Sequence, residues 1–314
     1  LAACGTAFVF GSIDPQGILF MQQIAGIEGD PVVYLNGNWS VLSQAKVSVL
    51  DRGFIFGDGV YEVVPLYKGH PFRMQQHLAR LNRSLAAIRI ANPHTDEQWQ
   101  ALVLELAARN GGGDQFVYLQ VTRGVAKRDH AFPVGVTPTV FAMSSPFIRP
   151  DTRQRDQGLA AVTVPDERWL HCEIKSVSLL GNVLARQYAV DHGVHEVVQF
   201  RGDYMTEGSA SNIWVVSNGV LLAPPRNHLI LEGIRYGLVE QLAQSKDIAF
   251  EIRPIHRDEV MAASELMLSS ATKEILPIVT LDGSPVGAGV PGPVYRKLRA
   301  GYDEAIAAVE SGAA

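Results

Sequence analysis

Cysteine is nearly absent. Cys4 and Cys172 are the only two in 314 residues, too few for a disulfide framework, and a reducing cytoplasm is the compartment such usage suits. No apolar run approaches the roughly 20 residues that a membrane-spanning helix needs. Basic charge is not in excess either: 27 Lys and Arg against 32 Asp and Glu give a net charge of −5. That argues against nucleic acid as a partner, because phosphate contacts demand a basic face. Internal repeats and low-complexity tracts are missing. Hydrophobic residues make up 47% and charged ones 19%, so the chain has the apolar surface that a disordered protein lacks. What remains is a folded protein with small-molecule partners, long enough for two domains.

The first twenty residues, LAACGTAFVFGSIDPQGILF, are mildly apolar but lack the basic segment of a secretory signal. LAAC resembles the end of a lipoprotein signal without the hydrophobic segment that should precede it. Met21 is the first methionine. Residues 1–30 therefore read as an N-terminal extension, with residues 1–20 upstream of a functional start near Met21.

Strand and helix signals then mix without regular βαβ alternation, which predicts α+β rather than a Rossmann sheet. VVYLNGNWSVL (32–42) predicts a hairpin about Asn36-Gly37-Asn38. RGFIFGDGVYEVVPLYKG (52–69) reads as a glycine-bearing loop running into a strand. Met74, Leu78, Leu81, Leu85 and Ile88 fall on one helical face. DEQWQALVLELAARNGGG predicts a second helix with a glycine stop at Gly111. FVYLQVTRG and TPTVFAMSSP read as paired strands around a polar loop, VAKRDHAFPVG. The charged, proline-bearing stretch at 147–158 marks a change in composition. Residues 31–147 are thus expected to form a small N-terminal domain, 148–158 a linker and 159–314 a larger C-terminal domain. In the latter, LAAVTVP and EVVQF read as strands, LLGNVLARQYAVDHG as a helix, and SNIWVVSNGVLLAPP as a hairpin. GIRYGLVEQLAQSKD reads as a helix, ELMLSSATKEILPIV as a strand, and VYRKLRAGYDEAIAAV as a closing helix.

Four clusters could carry chemistry. In EIKSVSLLGNVLARQ, Lys175 lies among Leu170, Ile174, Val177, Leu179 and Leu180, which predict a buried neighbourhood. A buried lysine must be neutral, paired or covalently used. Desolvation favours the neutral amine, as a Schiff-base nucleophile requires, whereas Glu173 could pair with it as a structural bridge. TEGSASN (206–212) packs a carboxylate, a glycine and small hydroxyls into a turn followed by a strand, so helix capping does not account for it. Such turns suit an anion such as phosphate. In LEGIRYGLVEQL, Gly233 opens a helix whose first amides could do the same. SSAT (269–272) ends a strand with hydroxyls. Arg80 lies off the apolar stripe of its helix and, read alone, is a solvated residue; Arg128 and His130, in an isolated RDH, read the same way.

The order GDGVYEVV, HLARL, EIK, TEGSASN, LEGIR and a hydroxyl-rich strand end resembles the fold-type IV pyridoxal-phosphate aminotransferases, which include the branched-chain and D-amino-acid transaminases. The resemblance spans about residues 32–300. RGFIFGDGVYEVV and TRGVAKRDHAFP bring it nearest to the D-alanine subgroup. It implies a two-domain fold, a smaller N-terminal α/β sandwich and a larger barrel-like C-terminal domain, in a homodimer that binds pyridoxal 5′-phosphate. By resemblance, Lys175 holds the cofactor covalently and moves the substrate α-proton. Glu207 faces the pyridine nitrogen, Arg80 grips the phosphate, and Tyr61, with its acidic neighbour Glu62, stands near the lysine. Leu231 packs on the ring, Gly233 opens the phosphate helix, and Ile234 and Arg235 lend backbone amides. Arg128 and His130 clamp the substrate carboxylate from the partner subunit. Ser209, Ser211, Ser270 and Thr272 are the remaining hydroxyls of the phosphate cup. Ala210 and Ala271 stand where relatives often carry hydroxyls, and Arg235 where a threonine is usual, so the cup is expected to release cofactor faster. The implied reaction moves an amino group from a D-amino acid, D-alanine first, to a 2-oxo acid such as 2-oxoglutarate or pyruvate. Branched-chain, (R)-amine and aminodeoxychorismate-lyase-like activities are the alternatives on the same scaffold.

Overall fold

The computed structural model describes residues 26–312; the stretch expected to be an upstream extension, 1–20, lies outside them. The first unit is a six-stranded antiparallel sheet in the order β2-β1-β6-β5-β3-β4. Its strands are β1 (Val32–Leu35), β2 (Asn38–Val41), β3 (Gly59–Tyr67), β4 (His70–Pro71), β5 (Gln115–Thr122) and β6 (Thr139–Pro146). β1 and β2 meet through Asn36 (φ 49°) and Gly37 (φ 88°), the positive-φ pair that a two-residue hairpin requires. The segment at 52–56, expected as loop, is instead a short helix, α1 (Arg52–Phe56), begun by an Asp51 side chain that accepts from the Gly53 amide.

Helices α2 (Met74–Ala87) and α3 (Asp96–Arg109) cover one face of this sheet. Met74, Leu78, Leu81 and Leu85 pack with Trp99, Val103 and Leu106 of α3 and with Val60, Val64, Val117 and Leu119 of the strands. Fully burying an aliphatic side chain is worth about 1.5–3 kcal/mol. This stripe therefore holds α2 in place and fixes where its polar residues point.

The segment 148–158 contains a helix, α4 (Thr152–Gln157), opened by a capping box of Asp151 and Gln154. Beyond it lies a nine-stranded mixed sheet in the order β12-β11-β10-β13-β14-β7-β8-β9, with β15 paired to β14. The strands are β7 (Leu159–Pro165), β8 (Glu196–Arg201), β9 (Tyr204–Met205), β10 (Asn212–Ser217), β11 (Val220–Ala223), β12 (Phe250–Ile252), β13 (Glu265–Ser270), β14 (Glu274–Leu281) and β15 (Ser284–Pro285). Helices α5 (Leu180–Asp191), α6 (Ile234–Ser245), α7 (Arg257–Met261) and α8 (Pro293–Glu310) complete the unit. ELMLSSATKEILPIV, expected as one strand, is the hairpin β13–β14. It turns at 271–273 and re-enters the sheet at Glu274, whose φ is 56°. No glycine or proline marks that turn.

The two units share a core. Tyr67, Phe72 and Phe147 from the first pack into the cluster built by Trp214, Tyr236, Leu238, Leu298 and Tyr302 of the second. Arg149 bridges Asp114 and Glu310 across the same seam.

Candidate active site

Lys175 is placed by its own backbone. Its carbonyl accepts from the Tyr61 amide at 3.0 Å, and its amide donates to Ser84 Oγ at 3.2 Å. The loop before α5 is thereby tied to β3 and α2, and the lysine stands at the seam between the units. Its Nζ lies 4.0 Å from the centre of the Tyr61 ring, a cation–π distance. The neighbourhood is not the buried one expected: Leu170 and Leu180 are 54% and 71% exposed in the single chain. Glu173 does not pair with Lys175; it meets His171 at 3.2 Å.

Lys175 opens onto a cavity of about 240 Å³. Every residue expected at the cofactor lines it: Arg80, Glu207, Ser209, Ala210, Ser211, Leu231, Gly233, Ile234, Arg235, Ser270, Ala271 and Thr272, with Tyr61 beside the amine. Arg128 and His130 do not. They sit on the exposed loop between β5 and β6, flanking Phe56, with the Arg128 guanidinium 5.4 Å and the His130 ring 5.3 Å from its ring.

Glu207 is buried. It accepts from Arg168 Nη1, from Asn212 Nδ2 at 3.1 Å and from the Leu231 amide. Burial pushes its carboxyl up to about 7, against the pull of Arg168. Arg168 is held cationic by Asp166 as well, with Nη2 2.9 Å from Oδ2. Asn212 closes the TEGSASN cluster, though no individual role was read for it, and Arg168 was not legible as a site residue. The one signal for Arg168 was Asp166 two positions before it in a loop, a pair more often found on solvated surface.

The raised Glu207 carboxyl has a stability consequence in the cofactor-free protein. Unfolded, the group titrates near 4.5; folded, near 7. The folded state therefore binds the proton more tightly, and stability from this group falls as pH rises from about 4.5 to 7. Glu207→Gln is predicted to remove that loss. Relative to wild type, the variant should gain roughly 3 kcal/mol more at pH 8 than at pH 4, read from urea melts. An equal offset at both pH values would contradict the assignment.

Arg80 is buried rather than solvated. Its Nε and Nη2 reach Glu62 at 2.7 and 2.8 Å, and its Nη1 donates to the Glu232 carbonyl. Glu62 follows Tyr61 in β3 and so points to the opposite face, where His77 Nδ1 also meets it at 2.8 Å. Burial alone would raise the Glu62 carboxyl; Arg80 and His77 outweigh it and hold it well below the usual carboxylate range. His77 itself is pushed by burial down to about 4, so its ring is neutral and its Nδ1–H donates.

The Ser209 and Ser211 hydroxyls, expected to face an anion, are committed elsewhere. Both donate to the buried Glu196 carboxylate, Ser211 at 2.9 Å, which Lys273 also reaches at 3.0 Å. Ser270 Oγ accepts from the Lys273 amide at 3.0 Å. The helix end is better suited to an anion. α6 begins at a Gly233 N-cap with no side-chain cap, leaving the Ile234 and Arg235 amides without intrahelical acceptors. A Cβ at 233 would lie 2.1 Å from Asn212 Oδ1, so any other residue there would have to displace the Asn212 side chain from Glu207 and Leu231. One cavity thus joins an amine, a buried carboxylate, an arginine and a bare helix N-terminus.

Comparison with known proteins agrees. Residues 59–281 match the family Amino-transferase class IV. The chain belongs to that family. D-alanine aminotransferases from Staphylococcus haemolyticus and Bacillus licheniformis are 38% and 37% identical to it, covering 87% of this chain and 97% and 96% of theirs. The branched-chain aminotransferase of Thermoproteus uzoniensis, solved with norvaline, superposes with a TM-score of 0.82 at 28% identity, covering 91% of this chain and 97% of that one. Class IV aminotransferases are pyridoxal-phosphate enzymes, with the mixed helix-and-sheet fold of type IV expected from the sequence. The cavity suits that cofactor: an anion site at α6, a carboxylate for the ring nitrogen and an amine for the carbonyl carbon.

Proposed function

We propose that the chain is a pyridoxal-phosphate-dependent D-amino-acid transaminase, passing the amino group of a D-alanine-like donor to a 2-oxo acid in a ping-pong cycle. The observation that carries this reading is the convergence of Lys175, Glu207, Arg80 and the α6 N-terminus on one cavity, in a chain 38% identical to D-alanine aminotransferases over nearly their whole length.

The residues divide the work. Arg80 and the Ile234 and Arg235 amides would hold the phosphate, Leu231 would pack on the ring, and Lys175 would carry the cofactor covalently. Bound there, pyridoxal phosphate supplies the electron sink that makes the substrate α-proton acidic. Arg168 and Asn212 orient Glu207 and oppose the burial that raises its carboxyl, so that above about pH 7 its charge would favour a protonated ring nitrogen. Lys175 Nζ accepts the α-proton and returns it at the end of the half-reaction.

A substrate carboxylate clamp made by Arg128 and His130 would need a second chain. Arg128 and His130 lie outside the cavity of their own chain, on a loop with an exposed apolar surround: Phe54 is 75% and Val134 99% exposed. α5 presents Leu180, Val183 and Leu184 to solvent as well. Exposed apolar area of this kind marks an interface, which supports a homodimer whose loops complete each other's sites. A cytoplasmic location fits the near absence of cysteine. Among the described residues no helix is long and apolar enough to cross a membrane.

Branched-chain transamination is the second reading, favoured by the solved structure cited above. Steady-state rates with D-alanine, L-leucine and an (R)-amine as donors separate the two. D-alanine is expected to have the highest kcat/KM, and turnover of L-leucine alone would overturn the D-specific reading.

A further inference from the structure

Among the described residues six arginine side chains are almost wholly buried, and five of them have a carboxylate. Arg52 and Arg123 share Asp58, Arg80 has Glu62, Arg168 has Asp166 and Glu207, and Arg299 has Glu274 and Asp303. The sixth is Arg235, 1% exposed, with no ion pair among the described residues. Its Nε donates to the Tyr302 hydroxyl at 3.1 Å, its Nη2 makes a long 3.5 Å contact to the Ala271 carbonyl, and its Nη1 is buried without a partner. Its neighbour Tyr67 donates to Glu274, but that carboxylate is already matched by Arg299 and Arg155. Its other charged neighbour is Arg73, again a cation. The Phe72 ring lies 5.1 Å from its guanidinium carbon, but a cation–π contact offsets only part of the cost of a buried charge, and an anion close by would offset the rest.

The Ala271 wall that Arg235 touches is also the wall of the cavity, and Arg235 is the second residue of α6. Its backbone and its side chain therefore bring positive potential to the same place, where the serine hydroxyls of 209 and 211 are turned away toward Glu196. We propose that the Arg235 side chain is a second cation of the phosphate cup, acting through the Ala271 wall and replacing hydroxyl donors with charge. On this view the cup does not hold its phosphate weakly. The proposal rests on the cofactor reading above and assigns Arg235 a positioning and electrostatic role, not a chemical one.

The test compares binding of pyridoxal phosphate and of pyridoxal, which lacks the phosphate, to the full chain by visible absorbance. Arg235→Met keeps the length and removes the charge. It is expected to weaken pyridoxal phosphate at least about tenfold while leaving pyridoxal within about twofold. Inorganic phosphate should raise the melting temperature of the cofactor-free wild type and not that of Arg235→Met. Equal loss of both ligands, or no loss of either, would overturn the proposal. Should Arg235→Met fail to fold, Arg235→Lys decides. Phosphate-dependent affinity retained within about threefold supports the charge, and its selective loss overturns it. A wild type that binds neither pyridoxal phosphate nor pyridoxal would overturn the cofactor reading itself, which is a different failure.

Discussion

Lys175→Ala is expected to abolish transamination, lowering kcat by more than about 10³-fold, because in the proposed reaction one side chain would serve as both covalent anchor and proton carrier. The structure gives the reason that no neighbour substitutes. Glu173 is turned to His171, and Lys273 is engaged with Glu196. The visible absorption of the purified protein should vanish with the amine, since that band reports the covalent link. The fold should survive, because what places the residue is its backbone, held by Tyr61 and Ser84, and alanine keeps both bonds. A variant that retains colour and turnover would show that another amine carries the cofactor. A wild type that stays colourless with added pyridoxal phosphate would sink the whole scheme.

The second large effect is a rescue. Arg128→Ala alone should raise KM for the amino acid, and Lys175→Ala alone should be dead. If each cavity is completed by the other chain's loop, a mixed dimer of the two variants contains one intact site, with Lys175 from one chain and Arg128 from the other. Co-expressed in equal amounts, half the dimers are mixed and each has one working site of two. About a quarter of wild-type activity should therefore reappear. The geometry motivates this directly. The loop is anchored in its own chain by Arg52, which donates to the carbonyls of Asp129 and His130, yet neither Arg128 nor His130 borders that chain's cavity. Activity no greater than that of the Arg128→Ala share of the mixture would mean that the loop serves no partner site.

The sequence was most legible where chemistry had narrowed the choice of residue. Gly233 announced the opening of α6, and TEGSASN could be separated from a helix cap because a strand follows it. Burial of charge was the main thing missed. A 3.6-residue pattern finds the apolar stripe of α2, yet Arg80 lies just off that stripe and is buried as well. It is drawn in by Glu62, 18 positions away on β3, and such a pairing exists only once the strand and helix have met. The same limit hid Arg168 behind Glu207. Conversely, Leu170 and Leu180 looked like core and are exposed, because apolarity does not say whether the covering surface belongs to the same chain. The β13–β14 turn escaped because Ser, Ala, Thr and Lys interrupt a run without the glycine or proline that usually signals a reversal.

The aromatic seam of Tyr67, Phe72 and Phe147 bears on how the site comes to exist at all. A cavity whose walls come from separately mobile lobes must be assembled anew at each encounter, and part of the binding free energy then goes into arresting that motion. Here Arg80 and Tyr61 stand on one unit, Glu207 and α6 on the other, and an apolar core runs between them without interruption. The shared core ties the two lobes together, so the walls of the cavity are held at a common seam before a small ring and its phosphate arrive.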